Sequence, residues 1–406
     1  KLGGYPENEL ETIQTLELQT IGNRDNTPVN RPYSPERTIP LKANDYTILD
    51  FGRNLTGFLG TRIECRSRTR LFLVFDEILT QGDVNFRRLG CANILSYDLQ
   101  PGSYEVESFE PYTLRYLKLI SVAGDCSIHG TWLREFADSS SKEAYFAASD
   151  ERFNRLFEAG RETFRQNSID IFMDCPSRER AGWLCDSFFT ARTAFDLSGD
   201  TRIEHCFLEN YLLPAKFSFL PEGMLPMCYP ADHNDGVFIP NWSLWFVVQL
   251  EEYLARSGDR ELVAALKPRV LKLFDYFQRF HNTDGLLEKL ENWVFVEWSK
   301  ANNFVQDVNY PSNMLYAKAL SAAGRMYDQP ELVRRAAAIQ EVIRHQSFDG
   351  EFFVDNAVRQ EGKLAITRNR TEVCQYFAFY FDVATPQSHP KLWQTLITGF
   401  GPQRRQ

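Results

Sequence analysis

The sequence predicts a multidomain β + α chain, with a β-sandwich over residues 1–140 and paired helices over residues 141–406. Three observations carry that expectation. The first third shows strand patterns and no helical period. The period turns helical after the short polar joint Asp138-Ser139-Ser140-Ser141-Lys142. A Ser-Gly-Asp junction then recurs between helices, at Ser198-Gly199-Asp200 and Ser257-Gly258-Asp259.

Leu71-Phe72-Leu73-Val74-Phe75 is an unbroken apolar run, suited to a strand buried on both faces. Tyr104-Glu105-Val106-Glu107 alternates as a half-buried strand does, and Arg115-Tyr116-Leu117-Lys118-Leu119 does much the same. Strands separated by turn signals suggest a sandwich. Beyond the joint, Ser149 is placed to cap a helix whose first turn carries Asp150 and Glu151. Phe153, Leu156, Phe157 and Phe164 fall on one stripe of it. Further helices are expected near 187–197, 203–213, 241–256, 260–281, 312–327, 330–346, 371–382 and 389–398. Each junction glycine supplies a left-handed C-terminal residue, and each aspartate caps the next helix. Tyr327-Asp328-Gln329-Pro330 is a third helix–helix junction. Such hairpins stack into a solenoid or close into an α/α toroid. The long loops at 214–240 and 283–310 favour an enzyme.

The composition, 43% hydrophobic and 24% charged, is ordinary for a globular chain, so no disulfide or metal staple is needed. The net charge of −9 argues against nucleic acid as a partner, because phosphate binding needs a basic face. It suits a neutral ligand such as a sugar. No run of about 18 apolar residues is present, so no membrane-spanning segment is expected. The chain opens KLGGYPENELETIQ, without an apolar signal core or an initiator Met, and periplasmic and cytoplasmic locations both stay open. None of the eight cysteines forms a CxxC pair. HExxH, P-loop, GxSxG and GxGxxG sequences are absent, so no metal and no cofactor is implied. His233, in Asp232-His233-Asn234-Asp235-Gly236, lacks the alternating oxygen ligands of an EF-hand and reads as a polar loop near the site.

The densest chemistry lies in Asp174-Cys175-Pro176-Ser177-Arg178-Glu179-Arg180-Ala181-Gly182-Trp183-Leu184-Cys185-Asp186. Pro176 and Gly182 bar a continuous helix, so an irregular loop can turn several side chains toward one point. Glycosidic cleavage needs one carboxylic acid to protonate the leaving oxygen and one carboxylate to attack or to activate water. The plain alternative is an ion-pair knot among Asp174, Arg178, Glu179 and Arg180.

This stretch resembles the acidic signature of the α-L-rhamnosidases of glycoside hydrolase family 78: an Asp-Cys-Pro-x-Arg start, then Glu, then Gly-Trp, then Asp. The resemblance extends along the chain. Leu49-Asp50-Phe51-Gly52-Arg53-Asn54-Leu55-Thr56-Gly57-Phe58 and Phe75-Asp76-Glu77-Ile78-Leu79 are similar to the family's β-sandwich segments. Ile239-Pro240-Asn241-Trp242 resembles a barrel-helix start. Asn292-Trp293-Val294-Phe295-Val296-Glu297-Trp298-Ser299 resembles a sugar-side segment with Glu297 in place of Asp. Glu372 resembles a residue at a helix start.

The resemblance implies an (α/α)6-type barrel behind the sandwich and an inverting hydrolase acting on rhamnose-containing carbohydrates. It implies Glu179 as general acid, Asp174 and Asp186 as carboxylates that hold sugar hydroxyls, and Arg178 as their orienting partner. Trp183, Trp242, Trp293, Trp298 and His233 are the substrate-side candidates, each tryptophan weighed against a plain core role. Nine helices are expected where six hairpins need twelve. The last helices and the water-activating carboxylate are therefore expected outside this chain, with Glu297 the best carboxylate left within it. Two alternatives remain: a different α/α-toroid glycosidase or polysaccharide lyase, and a carbohydrate-binding protein without turnover.

Overall fold

The computed structural model describes residues 38–399 apart from 139 and 232. The opening segment, the Phe400–Gln406 end, and Ser139 and Asp232 of the two quoted polar motifs lie outside the described residues.

The first unit is built on β2 (Asp45–Cys65), a 21-residue strand. Its first half pairs antiparallel with β8 (Tyr112–Ala123), and the register shifts between Asp50 and Leu55. Its second half pairs with β9 (Cys126–Glu135) on one side and β7 (Gly102–Glu107) on the other. The short β1 (Ile39–Leu41) adds to β9, while β3 (Thr69–Asp76) adds to β8 and β6 (Ile94–Leu99) to β3. One hydrogen-bonded path therefore serves two groups of strands, because an irregularity lets a strand leave one set of neighbours for another. The hairpin β4 (Leu79–Thr80) and β5 (Asp83–Val84) follows β3.

Burial matches the sequence pattern on β3. Leu71, Leu73 and Phe75 enter a core with Leu59, Ile63, Leu117 and Leu119, whereas Phe72 and Val74 enter a second core with Ile94 and Ile120. β7 is half-buried, as its alternation predicts. β8 departs from that expectation: Lys118 is buried, because its ammonium pairs with Asp83 at 2.7 Å and lies over the Tyr46 ring. A buried lysine needs such a partner.

α1 (Glu151–Asn167) also belongs to this unit. Its cap is Asp150, one residue later than Ser149, and Asp150 accepts from Arg152 N. The predicted stripe is only partly buried. Phe153 and Leu156 are exposed, and the helix instead buries its last turn at Phe164, Arg165 and Gln166. The reason is polar docking: Arg165 pairs with Glu135 and Glu162, and Gln166 Oε1 accepts from Thr56 N.

The second unit holds the remaining helices, so that nine α-helices occur among the described residues. They are α2 (Leu184–Ser198), α3 (Arg202–Asn210), α4 (Pro240–Ser257), α5 (Arg260–Gln278), α6 (Tyr310–Met326), α7 (Pro330–Ser347), α8 (Glu372–Tyr380) and α9 (Pro390–Gly399). α2 packs on α4, α4 on α6, and α6 on α8. α5 packs on α4 and α7 on α6. α4 and α6 are buried almost all round. α5 buries one stripe through Leu262, Leu266, Val270, Leu273 and Phe277. Alternation between fully buried and one-faced helices is what consecutive hairpins produce. Phe189 of α2 and Tyr376 of α8 remain exposed.

The junction glycines work as predicted: Gly199 and Gly258 take φ of 72° and 71° and donate to Phe195 O and Leu254 O. Of the two aspartates, Asp259 caps α5 and accepts from Leu262 N, whereas α3 has Thr201 at its N-cap without a side-chain cap bond, and Asp200, one residue earlier, accepts from Arg202 N. At the third junction Asp328 supplies the positive φ and Pro330 opens α7. A small sheet of β10 (Val308–Asn309), β11 (Asn356–Gln360) and β12 (Lys363–Ile366) lies in the loops.

The chain divides by contacts into a strand unit up to Ile169, which also takes Cys175–Arg180, and a helical unit of Asp170–Asp174 with Ala181 onward. The division lies beyond the polar joint at 138–142 because α1 docks on β2 and β9.

Candidate active site

The loop singled out by the sequence is shared by the two units. Asp174 N donates to Ala181 O at 3.2 Å, and Ala181 N donates back to Asp174 Oδ1 at 3.3 Å. These bonds close an excursion of residues 175–180, and that excursion groups with the strands.

Within the strand unit the excursion is held at several points. Thr113 Oγ1 donates to Pro176 O at 2.8 Å, and Ser177 Oγ donates to Glu77 Oε2 at 3.0 Å. Arg180 donates to Pro111 O at 2.6 Å and to Glu110 Oε2 at 2.8 Å. Arg180 has φ of 54°, a conformation that costs a non-glycine residue about 1–3 kcal/mol unless its surroundings fix it. Its two tethers do so. Of the four residues of the expected knot, Arg178 and Glu179 pair, while Arg180 is engaged by Glu110 and Asp174 accepts from Ala181 N.

The helical unit gathers the other candidates around the starts of its packed helices. Gly182 lies in a crowded place: a Cβ there would meet Phe207 at 3.1 Å and Tyr229 O at 3.2 Å, so its neighbours would have to give by a few tenths of an ångström. Residues 182–184 pair with 227–229 through Tyr229 N to Gly182 O and Leu184 N to Met227 O. That pairing sets Trp183 against His233, with ring centroids 5.3 Å apart, and against Trp242 at 5.4 Å. Trp242 meets Phe295 at 5.5 Å, and Phe295 meets Trp293 and Trp298. All five aromatic candidates thus belong to one contiguous cluster. It grades from buried Trp183 and Trp242, each 8% exposed, to Trp298 at 76%. A buried tryptophan ordinarily satisfies its N–H, yet Nε1 of Trp183 has no hydrogen-bond partner among the described residues.

Two asparagines lock the loops together. Asn241 donates to Ser312 Oγ at 2.7 Å and accepts from Phe295 N, which ties the starts of α4 and α6 to the 292–299 segment. Asn292 accepts from Phe238 N and donates to Gly236 O. Sequence reasoning gives Asn241 and Asn292 no role, because side chains that bridge loops far apart in sequence leave no local pattern.

Asp186 lies in the first turn of α2, where the helix macrodipole favours a carboxylate. Glu297 is exposed, and its Oε1 accepts from Trp298 N at 2.6 Å. Burial, then the charges of Asp186 and Glu297, push the Cys185 thiol well above its usual range. Glu372 begins α8 and pairs with Tyr376. Among the described residues no three His, Cys, Asp or Glu side chains gather as a metal-holding group, and no helix is long and apolar enough to cross a membrane.

A family model described as the bacterial α-L-rhamnosidase six-hairpin glycosidase domain matches residues 141–399. The chain belongs to this family. Rhamnosidases similar to this family member include one from Alteromonas sp. (strain LOR), 22% identical over 382 residues, which covers 87% of this chain and 39% of that protein. Another, from Formosa agariphila, is 22% identical over 79% of this chain and 34% of its own length. The chain thus spans about two fifths or less of these curated relatives. Among solved structures, a family 78 rhamnosidase from Bacillus sp. GL1 superposes with a TM-score of 0.76 at 22% identity, over 88% of this chain and 38% of that one. A rhamnosidase from Klebsiella oxytoca with rhamnose bound gives 0.71 at 19% identity, over 90% of this chain and 73% of that one. These likenesses show the fold: a sheet-rich first part and a helical part of the six-hairpin glycosidase kind. The resemblance to family 78 read from the motifs is borne out.

Proposed function

We propose that this chain carries the acid side of an inverting α-L-rhamnosidase site, which releases terminal α-L-rhamnose from rhamnosylated glycans or glycosides. The observation that supports it most is the family match over residues 141–399, which includes the whole Asp174–Asp186 segment. In this reading Glu179 protonates the leaving oxygen, with Arg178 as its charged neighbour. Asp174 and Asp186 accept hydrogen bonds from sugar hydroxyls, which are strong when the acceptor is charged. The cluster from Trp183 to Trp298 offers aromatic faces to the ring, the Trp183 N–H supplies a donor, and Glu297 lies on the sugar side.

The test is leaving-group dependence. Glu179→Gln should slow cleavage of rhamnosides with poor leaving groups by about 10² or more, the usual cost of losing a general acid. Activated phenol rhamnosides need less protonation and should lose less. Equal losses on both substrate types would remove Glu179 from the acid role. Rhamnose binding without release by a protein that also includes the water-activating carboxylate would favour a binding protein.

A further inference from the structure

We propose that Glu77 is a positioning residue for the acid loop, which fixes Ser177 and through it the place of Glu179; the inference rests on the reading of Glu179 as the acid. Glu77 follows directly on the end of β3. Its carboxylate is held by three donors. Oε1 accepts from Asn54 Nδ2 at 2.8 Å, and Oε2 accepts from Arg88 Nη2 at 2.9 Å and from Ser177 Oγ at 3.0 Å. Arg88 is itself clamped, since its fork also reaches both oxygens of Asp76, which is 1% exposed. A planar guanidinium paired in two directions leaves Glu77 little rotamer freedom. Asn54 Nδ2 is committed to Glu77, while its buried Oδ1 has no hydrogen-bond partner among the described residues.

The other tethers act on different parts of the loop. Thr113 holds the carbonyl of Pro176, and Arg180 holds the far end through Glu110 and Pro111 O. Ser177, two residues before Glu179, is tethered through its side chain, and Glu77 is its acceptor. Inside the loop, Arg180 N donates to Cys175 O at 3.1 Å and Glu179 N donates to Cys175 Sγ at 3.4 Å, both of which close a turn and form no regular ladder. A proton donor misplaced by about 1 Å loses much of its rate advantage, so a loop without regular structure must be fixed from outside.

The experiment combines amide hydrogen exchange with kinetics on the active protein. In Glu77→Gln and Ser177→Ala, amides of 175–180 should exchange about tenfold faster or more, while β3 and β8 keep their protection. Both variants should lower kcat about tenfold on a poor-leaving-group rhamnoside with KM within about twofold, and should lose less on an activated phenol rhamnoside. Ser177→Thr, which keeps the hydroxyl, should restore kcat to within about threefold of the unaltered protein. Unchanged exchange in Ser177→Ala would overturn the anchor. Faster exchange with kcat unchanged on both substrates would show an anchor that does not position the acid. Absence of rhamnosidase activity in a protein that includes the water-activating carboxylate would overturn the reading of Glu179 and the positioning role with it, and the exchange result would then decide the anchor alone.

Discussion

Trp183 keeps a buried indole N–H without a partner among the described residues, an arrangement that costs stability unless a ligand supplies the acceptor. Trp183→Phe retains an aromatic ring and removes the donor. Rhamnose binding should weaken by about 0.5–1.5 kcal/mol, the value of one neutral hydrogen bond, while the melting temperature holds or rises. Calorimetric titration together with a thermal melt reads both, and a fall in stability with unchanged affinity would return Trp183 to the core. Asp355 is a second residue under tension. It is fully buried and accepts from Thr371 N and Thr371 Oγ1 at the start of α8. Burial raises its pKa to about 6, against the opposing effect of the Thr371 bonds. Because the folded value lies above the unfolded one, its contribution to stability is complete below about pH 4 and is lost as pH rises through 6. That difference is worth about 3 kcal/mol, from roughly two pKa units. Asp355→Asn lacks this term. The stability of the unaltered protein relative to the variant should therefore fall between pH 4 and pH 7, which denaturant midpoints at the two pH values will show.

At the scale of elements, the hairpin junctions separate two kinds of glycine. Gly258 sits at positive φ with nothing within 4 Å of a built Cβ, so Gly258→Ala meets only the left-handed penalty of about 1–2 kcal/mol. Gly324, on α6, has ordinary helical backbone, but its Cβ would lie 2.6 Å from Val333 Cγ2 and 3.0 Å from Gln329 O. Gly324→Ala must therefore push α7 away from α6, and overpacking of this kind costs about 1–3 kcal/mol. The two variants should differ in character as well as size. Gly324→Ala should speed hydrogen exchange in both α6 and α7, whereas Gly258→Ala should act only around the α4–α5 turn. α1 illustrates how a stripe can mislead. Its apolar spacing is real, but its C-terminal turn is held by Arg165 and Gln166, and Phe153 and Leu156 stay exposed.

At the scale of the whole molecule, the chain passes between the two units three times within a dozen residues, at 169/170, 174/175 and 180/181. The strand unit is therefore incomplete without residues 175–180. A strand-unit fragment ending at Arg180 should melt higher than one ending at Ile169, because only the longer one can form the bonds from Ser177 to Glu77, Thr113 to Pro176 O and Arg180 to Glu110. Bonds of this kind are worth about 0.5–1.5 kcal/mol each, so a rise of a few degrees is expected. Identical melting of the two fragments would show that the loop adds nothing to the strand unit.

Much of this protein was legible along the chain. Strand and helix periods, the left-handed glycines, the Asp259 cap and the acid segment are local signals, since each depends on residues within one or two turns of one another. The helix count and the hairpin junctions followed from them, and the order of residues in the 174–186 segment was specific enough to indicate the family. Tertiary structure alone decided which distant side chains meet. Arg180 reaches Glu110 rather than Asp174, and Lys118 is buried on Asp83. Cys65 and Cys126 lie opposite each other in register, with burial lifting the Cys126 thiol to about 12. Glu77 meets Ser177 across 100 positions of sequence. Composition and periodicity carry no record of such pairings, because an ion pair or a cross-strand contact depends on where the backbone brings two groups and not on what stands beside either of them. The sequence determined the elements and the chemistry of the loop. The sheet on which that loop is mounted decided what holds it.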